Sequence, residues 1–397
     1  MPLSRRKFSM TGAALVGAST LTLARPALAD TSPIRIGWLA ALTGAGSAPS
    51  IGMNRGVNYC ASLINAAGGI KGRKIEIVMR DTQGVPTAAV DAAQDMISNI
   101  KVNAIWGPTN SGESLAVTPI MARNGMPNIH PCAVDTLINP KKYPNAFRMS
   151  PSNTQWDDAV RHYCLAILKT RKVAVIGDTT GYGLTAAAAC AKAFEKDGAE
   201  VVYKAMIDQT QPDVRPNLVH AQNAGAEVIV VWSVSTGLDA RLFNARANMK
   251  WDVPFVGHPS LASGSIKDLL DRPSNWDKVY AVGYKSCSYN SAGQLPARSQ
   301  QFINKLKGKV ELQDTLLWWV AVGFDAVNLV GDAVKATGSS THAAFIEYWN
   351  SLHNYPGYFG DYSFTKTDHN GYPTDEVVMS VANQGKDGAF ALAPGYS

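Results

Sequence analysis

Two short stretches carry residue types suited to holding an anion. Gly107-Pro108-Thr109-Asn110-Ser111-Gly112 follows the apolar run Val102–Trp106 and leads into a helical pattern. At such a junction the first N–H groups of the helix lack partners, and the Ser111 hydroxyl adds a donor to them, which is the chemistry of a carboxylate site. A serine there can equally cap its own helix, and position alone leaves both readings open. The second stretch, Gly181-Tyr182-Gly183, follows the run Val173–Ile176. A ring with a polar tip suits a cleft that excludes water yet keeps one hydrogen bond, although Tyr182 could also be a plain surface aromatic. The same turn reads GxGxxA through Gly181, Gly183 and Ala186. A dinucleotide site wants those glycines at the strand end and an acid closing the next strand. Here Asp178-Thr179-Thr180 intervenes, and the next strand runs through Lys204-Ala205 without an acid.

Catalytic signatures are lacking. The chain has no G-x-S-x-G elbow, no H-E-x-x-H and no P-loop, so no catalytic residue is assigned. Its cysteines, Cys60, Cys132, Cys164, Cys190 and Cys287, show no CxxC spacing, and His130-Pro131-Cys132 is a lone pair. Clustered zinc ligands are therefore not expected, nor is any cofactor. An enzyme built on an unrecognised constellation of His and carboxylates stays the rival reading.

The elements that must position these residues alternate. Ile34–Leu39, Lys74–Met79, Val102–Trp106, Val173–Ile176, Val201–Ala205, Val228–Trp232, Pro254–Gly257 and Val279–Gly283 read as strands. Between them lie helical faces such as Val57, Cys60, Ala61, Ile64, then Val160, Tyr163, Cys164, Ile167, and then Leu184, Ala187, Ala188, Ala191. This order predicts an α/β fold of two doubly wound parallel-sheet lobes with helices on both faces. Ligands of such sheets sit beyond the strand carboxyl ends. That rule adds Trp232-Ser233-Val234-Ser235 and His258-Pro259-Ser260 to the candidates, with His258 as readily packed as ligand-facing.

Composition bounds the partners. The 397 residues are 46% hydrophobic and 17% charged, which excludes disordered, collagen-like and coiled-coil chains. Four of the 37 basic residues, Arg5, Arg6, Lys7 and Arg25, precede Asp30 with no acid among them, and the remainder nearly balances 31 acids. A balanced chain offers no footprint for nucleic acid. The arginine pair, the mild apolar run to Ala24 and Ala27-Leu28-Ala29 read as a twin-arginine leader over residues 1–29, cleaved after Ala29. No later stretch reads as long and apolar enough to span a bilayer.

Several ordered segments resemble the type I periplasmic binding proteins, closest to the leucine/isoleucine/valine-binding group of ABC importers. They are Ile36-Gly37 with Leu42-Thr43-Gly44, Gly56 with Ile64-Asn65-Ala66-Ala67-Gly68-Gly69-Ile70-Lys71-Gly72-Arg73, Asp81 with Pro86, Ile105-Trp106-Gly107 running to Ser111, and Val175-Ile176 with Gly181-Tyr182-Gly183. The resemblance implies two lobes joined by a three-stranded hinge: residues 30–150 with 285–359, and 151–284 with 360–397. It implies a small-molecule ligand between the lobes and a periplasmic monomer that serves membrane permease and ATPase subunits. It places the carboxylate-binding serine at Ser111, brings Cys132, Ala133 and Val134 toward the same carboxylate, and puts the closing tyrosine at Tyr182. Val234 and His258 complete the expected ligand contacts. Amino-acid-binding members hold the ligand ammonium with an acid, and the matching stretch here, Gly257-His258-Pro259-Ser260, has none. An unpaired buried ammonium is costly, so the departure favours a carboxylate without an α-amino group, such as an aromatic acid. Asp135 and Asp239, near in sequence, are the candidates that could restore amino-acid binding. The remaining alternatives are an amide ligand and a sensory receptor module.

Overall fold

A computed structural model describes residues 31–396. The leader and its cleavage site lie outside the described residues. The first sheet is built from β1 (Ile34–Ala40), β2 (Ile75–Asp81), β3 (Ala104–Trp106), β4 (Asn128–His130) and β5 (Ala146–Arg148), in the order β2-β1-β3-β4-β5 and parallel throughout. The helices between its strands are α1 (Ala48–Ala66), α2 (Pro86–Asp95) and α3 (Ser111–Arg123). After α4 (Asn153–His162) the second sheet begins with β6 (Lys172–Asp178), β7 (Glu200–Ile207), β8 (Val228–Trp232), β9 (Phe255–Gly257) and β10 (Val279–Tyr284). These pair in parallel in the order β10-β9-β8-β6-β7. They alternate with α5 (Gly181–Lys196), α6 (Arg215–Asn223) and α7 (Thr236–Asn248). Strands sandwiched between helix layers must be apolar on both faces, and Val228-Ile229-Val230-Val231-Trp232 is buried at every position.

Beyond β10 the chain adds β11 (Ser288–Tyr289), α8 (Ala297–Leu306), α9 (Leu317–Thr337), α10 (His342–Trp349), the small ladder β12 (Tyr355–Pro356) with β13 (Asp361–Tyr362), and β14 (Val377–Lys386) with β15 (Ala389–Leu392). β14 runs antiparallel to both β10 and β15, so the second sheet is mixed at this edge rather than wholly parallel. The strand rhythm breaks in this region, which is why the antiparallel pair was not expected.

The chain passes between the two sheets three times, after β5, after β11 and between Asn370 and β14, because α9 packs along α1 while β14 returns to β10. Two stretches fall on the other side from the expected division. Ser288–Tyr289 pairs with β15 of the second sheet, while Phe364 and His369 stack on Phe147 of β5, and Arg148 bridges to Asn370. The crossing segments have ordinary loop composition, so nothing in the sequence marks where they change sides.

α9 also corrects an expectation. By length and composition it could cross a membrane, yet 89% of its most apolar window is buried inside the fold. It is the central helix of the first half. Glycines let it approach α1: a Cβ on Gly56 would lie 1.9 Å from the Val320 carbonyl oxygen, and one on Gly323 would lie 2.3 Å from that of Met53. In α5 the buried face runs through Tyr182, Ala186, Ala187, Cys190, Ala191 and Phe194. Leu184, expected on that face, is 46% exposed, because Tyr182 and Gly183 already turn inward one step earlier. All five cysteines are buried and free.

Candidate functional site

The carboxyl ends of both sheets converge on one small cavity of about 40 Å³. The loop after β3 contributes Thr109, Asn110 and Ser111, and the loop after β4 contributes Pro131, Cys132 and Ala133. From the second sheet come Tyr182, Val234 and His258, each just past a strand end. Trp156 of α4, Trp318 and Trp319 of α9, and Pro49 and Met53 of α1 close the rest. Two larger hollows, of about 610 and 580 Å³, are open grooves lined by mixed charges such as Lys267 and Asp387, or Arg298 and Glu376. Neither lies where the strand ends meet.

At α3 the cap and the binding group are separate residues. The Asn110 side chain accepts from the Gly112 N–H at 2.9 Å and caps the helix. Ser111 is thereby spared capping duty. Ser111 is 1% exposed, and its buried Oγ has no hydrogen-bond partner. A buried hydroxyl left unpaired is costly, and one beside a helix start is poised to donate to an anion. Tyr182 is the matching group at the start of α5, where Thr180 caps by accepting from the Gly183 N–H. Its Oη is likewise buried and unpaired. Both helix ends thus present partial positive charge and one free hydroxyl to the same space.

The loop after β4 is held from outside. Ser150 Oγ donates to the Pro131 carbonyl, the Asn153 N–H to that of Ala133, and the buried Arg148 guanidinium to those of Ala133 and Val134. The loop so held brings Cys132 and Ala133 to the cavity wall. Val134 is the exception among the expected contacts: it packs with Leu137 and Tyr143 and does not line the cavity. Its part is to give Arg148 a carbonyl. Ser111, Cys132, Tyr182, Val234 and His258 are brought together.

His258 is neutral in this setting. Burial pushes its pKa down to about 3. Its Nδ1 accepts the Ser260 N–H at 3.1 Å, which assigns the ring proton to Nε2. Ser260 Oγ also contacts Asp239 Oδ2 at 3.0 Å and the Ser233 carbonyl at 2.7 Å. Asp239 is fully buried behind this serine and does not line the cavity, and desolvation raises its pKa well above the ordinary value. Asp135 is engaged with Arg148 and Thr154. Asp178, at the end of β6, accepts from the Val234 N–H and from Thr180. Among the described residues, no acid and no lysine or arginine lines the cavity.

Sequence reasoning missed the aromatic wall. Trp156 meets Tyr182, His258 and Trp318 edge-on, at 80°, 86° and 73°, and Trp318 and Trp319 lie 5.9 Å apart. The signal available was the adjacent tryptophan pair opening an otherwise aliphatic helix. Beneath the site, Glu113 of α3 is fully buried. Burial is the main cause that raises its pKa to about 7, against the opposing Thr82 hydroxyl and Asn110 N–H, and with Asp81 adding to the rise. No grouping of His, Cys, Asp or Glu among the described residues could hold a metal ion.

Residues 33–387 match the family model described as periplasmic binding protein. A Leu/Ile/Val-binding protein homologue of Brucella melitensis is 30% identical over 212 residues, covering 53% of this chain and 56% of that one. The chain spans about half the length of the first curated relatives it matches. A branched-chain amino acid transporter substrate-binding protein of Streptococcus pneumoniae, solved with isoleucine, has a TM-score of 0.77 at 21% identity, covering 90% of this chain and 97% of that one. A solute-binding protein of an ABC transporter from Rhodopseudomonas palustris, solved with 3,4-dihydroxybenzoic acid, has a TM-score of 0.72 at 19% identity, covering 88% and 92%. At such identities these two likenesses speak for the fold.

Proposed function

The chain belongs to the periplasmic binding protein family, and from that premise we propose that it is the solute-binding component of an ABC importer that captures a small carboxylate lacking an α-ammonium group. One observation carries the reading. The cavity offers donors for an anion, Ser111 Oγ, Tyr182 Oη and two helix starts, opposite an aromatic wall with no acid in it. A carboxylate satisfies the buried donors. The ring cluster of Trp156, Trp318 and Trp319 suits an aromatic or apolar body. A primary ammonium would be buried there without a counter-charge, at a cost of several kcal/mol on the order of the penalty for an unpaired ion. The binding of 3,4-dihydroxybenzoic acid by the Rhodopseudomonas palustris protein is in keeping with this class, whereas the isoleucine complex and the Leu/Ile/Val relatives favour the amino-acid alternative.

The protein acts in the periplasm as a monomer, after export through its twin-arginine leader and cleavage following Ala29, and delivers ligand to a membrane permease and its ATPase. A thermal-shift screen with benzoate, 3,4-dihydroxybenzoate, isoleucine and leucinamide tests the ligand class, since a binder gains about 2.7 kcal/mol at a hundredfold excess over its dissociation constant. Stabilisation by the aromatic acids alone supports the reading. Stabilisation by isoleucine alone assigns the protein to amino acids.

A further inference from the structure

The starts of α3 and α5 touch backbone to backbone across the cleft. A Cβ on Gly181 would lie 2.5 Å from the Gly112 Cα and 2.9 Å from its nitrogen, while a Cβ on Gly112 would lie 3.2 Å from the Gly181 Cα. The first of these is a clash with main chain, which cannot rotate away as a side chain can. Neither glycine has a positive φ, so local conformation does not call for glycine at either place. Each sits in the first turn of a helix, where alanine is the better helix former. The missing side chains therefore have their reason in the contact between the halves. The residues next to them, Ser111 and Tyr182, each carry a buried hydroxyl without a partner and line the same cavity. The approach of the two glycines thus fixes how close the two anion-binding groups come.

We propose that Gly112 and Gly181 form the stop that sets the closed position of the cleft, and so act as positioning residues for ligand capture. The proposal rests on the reading that the cleft opens and closes around a ligand. A side chain at either position holds the halves apart and separates Ser111 from Tyr182, without touching the ligand itself.

The test needs no ligand. A Cβ on Gly46, in the loop after β1, would lie 3.1 Å from Val234 Cγ2, across the same cleft. The Gly46→Cys/Val234→Cys variant therefore forms a disulfide when the cleft closes, and its rate of formation under a mild oxidant counts closures. Adding Gly181→Ala is expected to slow this cross-link at least tenfold. Gly112→Ala, whose contact is looser, slows it less, and both leave the melting temperature unchanged or raised. Cross-linking at the parent rate in the Gly181→Ala background overturns the proposal. So does a parent pair that never cross-links, because the contact would then not be sampled. A thermal-shift screen in which no carboxylate binds would count against the proposed ligand class and leave this result standing.

Discussion

Ser111 and Tyr182 differ in what they lose on substitution. Ser111→Ala removes one hydrogen bond to a charge, about 1.5–3 kcal/mol, and is expected to weaken carboxylate binding roughly 10- to 150-fold in a calorimetric titration. Tyr182 gives both a hydroxyl and a ring packed against Trp156 and His258. Tyr182→Phe keeps the ring and should cost less than Tyr182→Ala in the same titration, and equal losses would mean that the ring is not part of the wall. Each stands at a strand-to-helix junction that the sequence shows, and the structure brings both to one cavity. For Asp239, held open as a possible acid for an ammonium, sequence shows that an acid is near the loop but not that Ser260 bonds to its carboxyl. Val134 was misjudged, since alignment brings the loop to the ligand but does not tell that its carbonyl faces Arg148.

The first turn of α3 carries both Ser111, which lines the cavity, and Glu113, which is fully buried away from it. Burial lifts Glu113 from the ordinary 4.5 to about 7. For an acid whose folded pKa is raised, the stabilising contribution is complete below 4.5 and lost as pH rises through 7. Glu113→Gln should therefore be more stable than the parent at pH 8, by roughly 3 kcal/mol for a shift of this size, with the gap closing as pH falls to 4.5 in denaturant titrations. A constant gap across that range would mean that Glu113 is not the titrating group. Among the elements, the parallel strands were readable from their continuous apolar runs, as in β8, because burial on both faces leaves no polar alternation to confuse them. β14 and β15 were not, because β14 ends in exposed polar residues, Asn383 to Lys386, that read as a loop. Nor were the tryptophans of α9 assigned to the cavity, since α9 reaches it only through a crossing between the halves that no local pattern reveals.

Across the whole molecule, buried titrating groups of opposite sign set the acid response. His130 and His258 are both depressed to about 3, so each contributes stability above pH 6.5 that is lost as pH falls toward 3. Glu113, raised to about 7, and Asp325, raised to about 6 by burial within α9, gain as pH falls and offset this loss until they are fully protonated. Each histidine should remove up to about 1.4 kcal/mol per pH unit between pH 6.5 and 3, so a variant with both replaced by glutamine should show a shallower acid decline than the parent in denaturant titrations. An equal decline in parent and variant would show that the two histidines do not titrate in that range. Export is checked separately: replacing Arg5 and Arg6 by lysine should leave uncleaved precursor in the cytoplasm, and normal periplasmic yield would refute the twin-arginine route. The two parallel-sheet halves were readable from the ordered family segments, while the aromatic wall and the glycine contact belong to the assembled molecule alone. The class of ligand is the central claim, and isothermal titration of the mature protein with 3,4-dihydroxybenzoate and with isoleucine tests it most directly. Micromolar-range binding of the aromatic acid, lost in Ser111→Ala, with no heat from isoleucine, is the result predicted; tight isoleucine binding with none of the aromatic acid would contradict it.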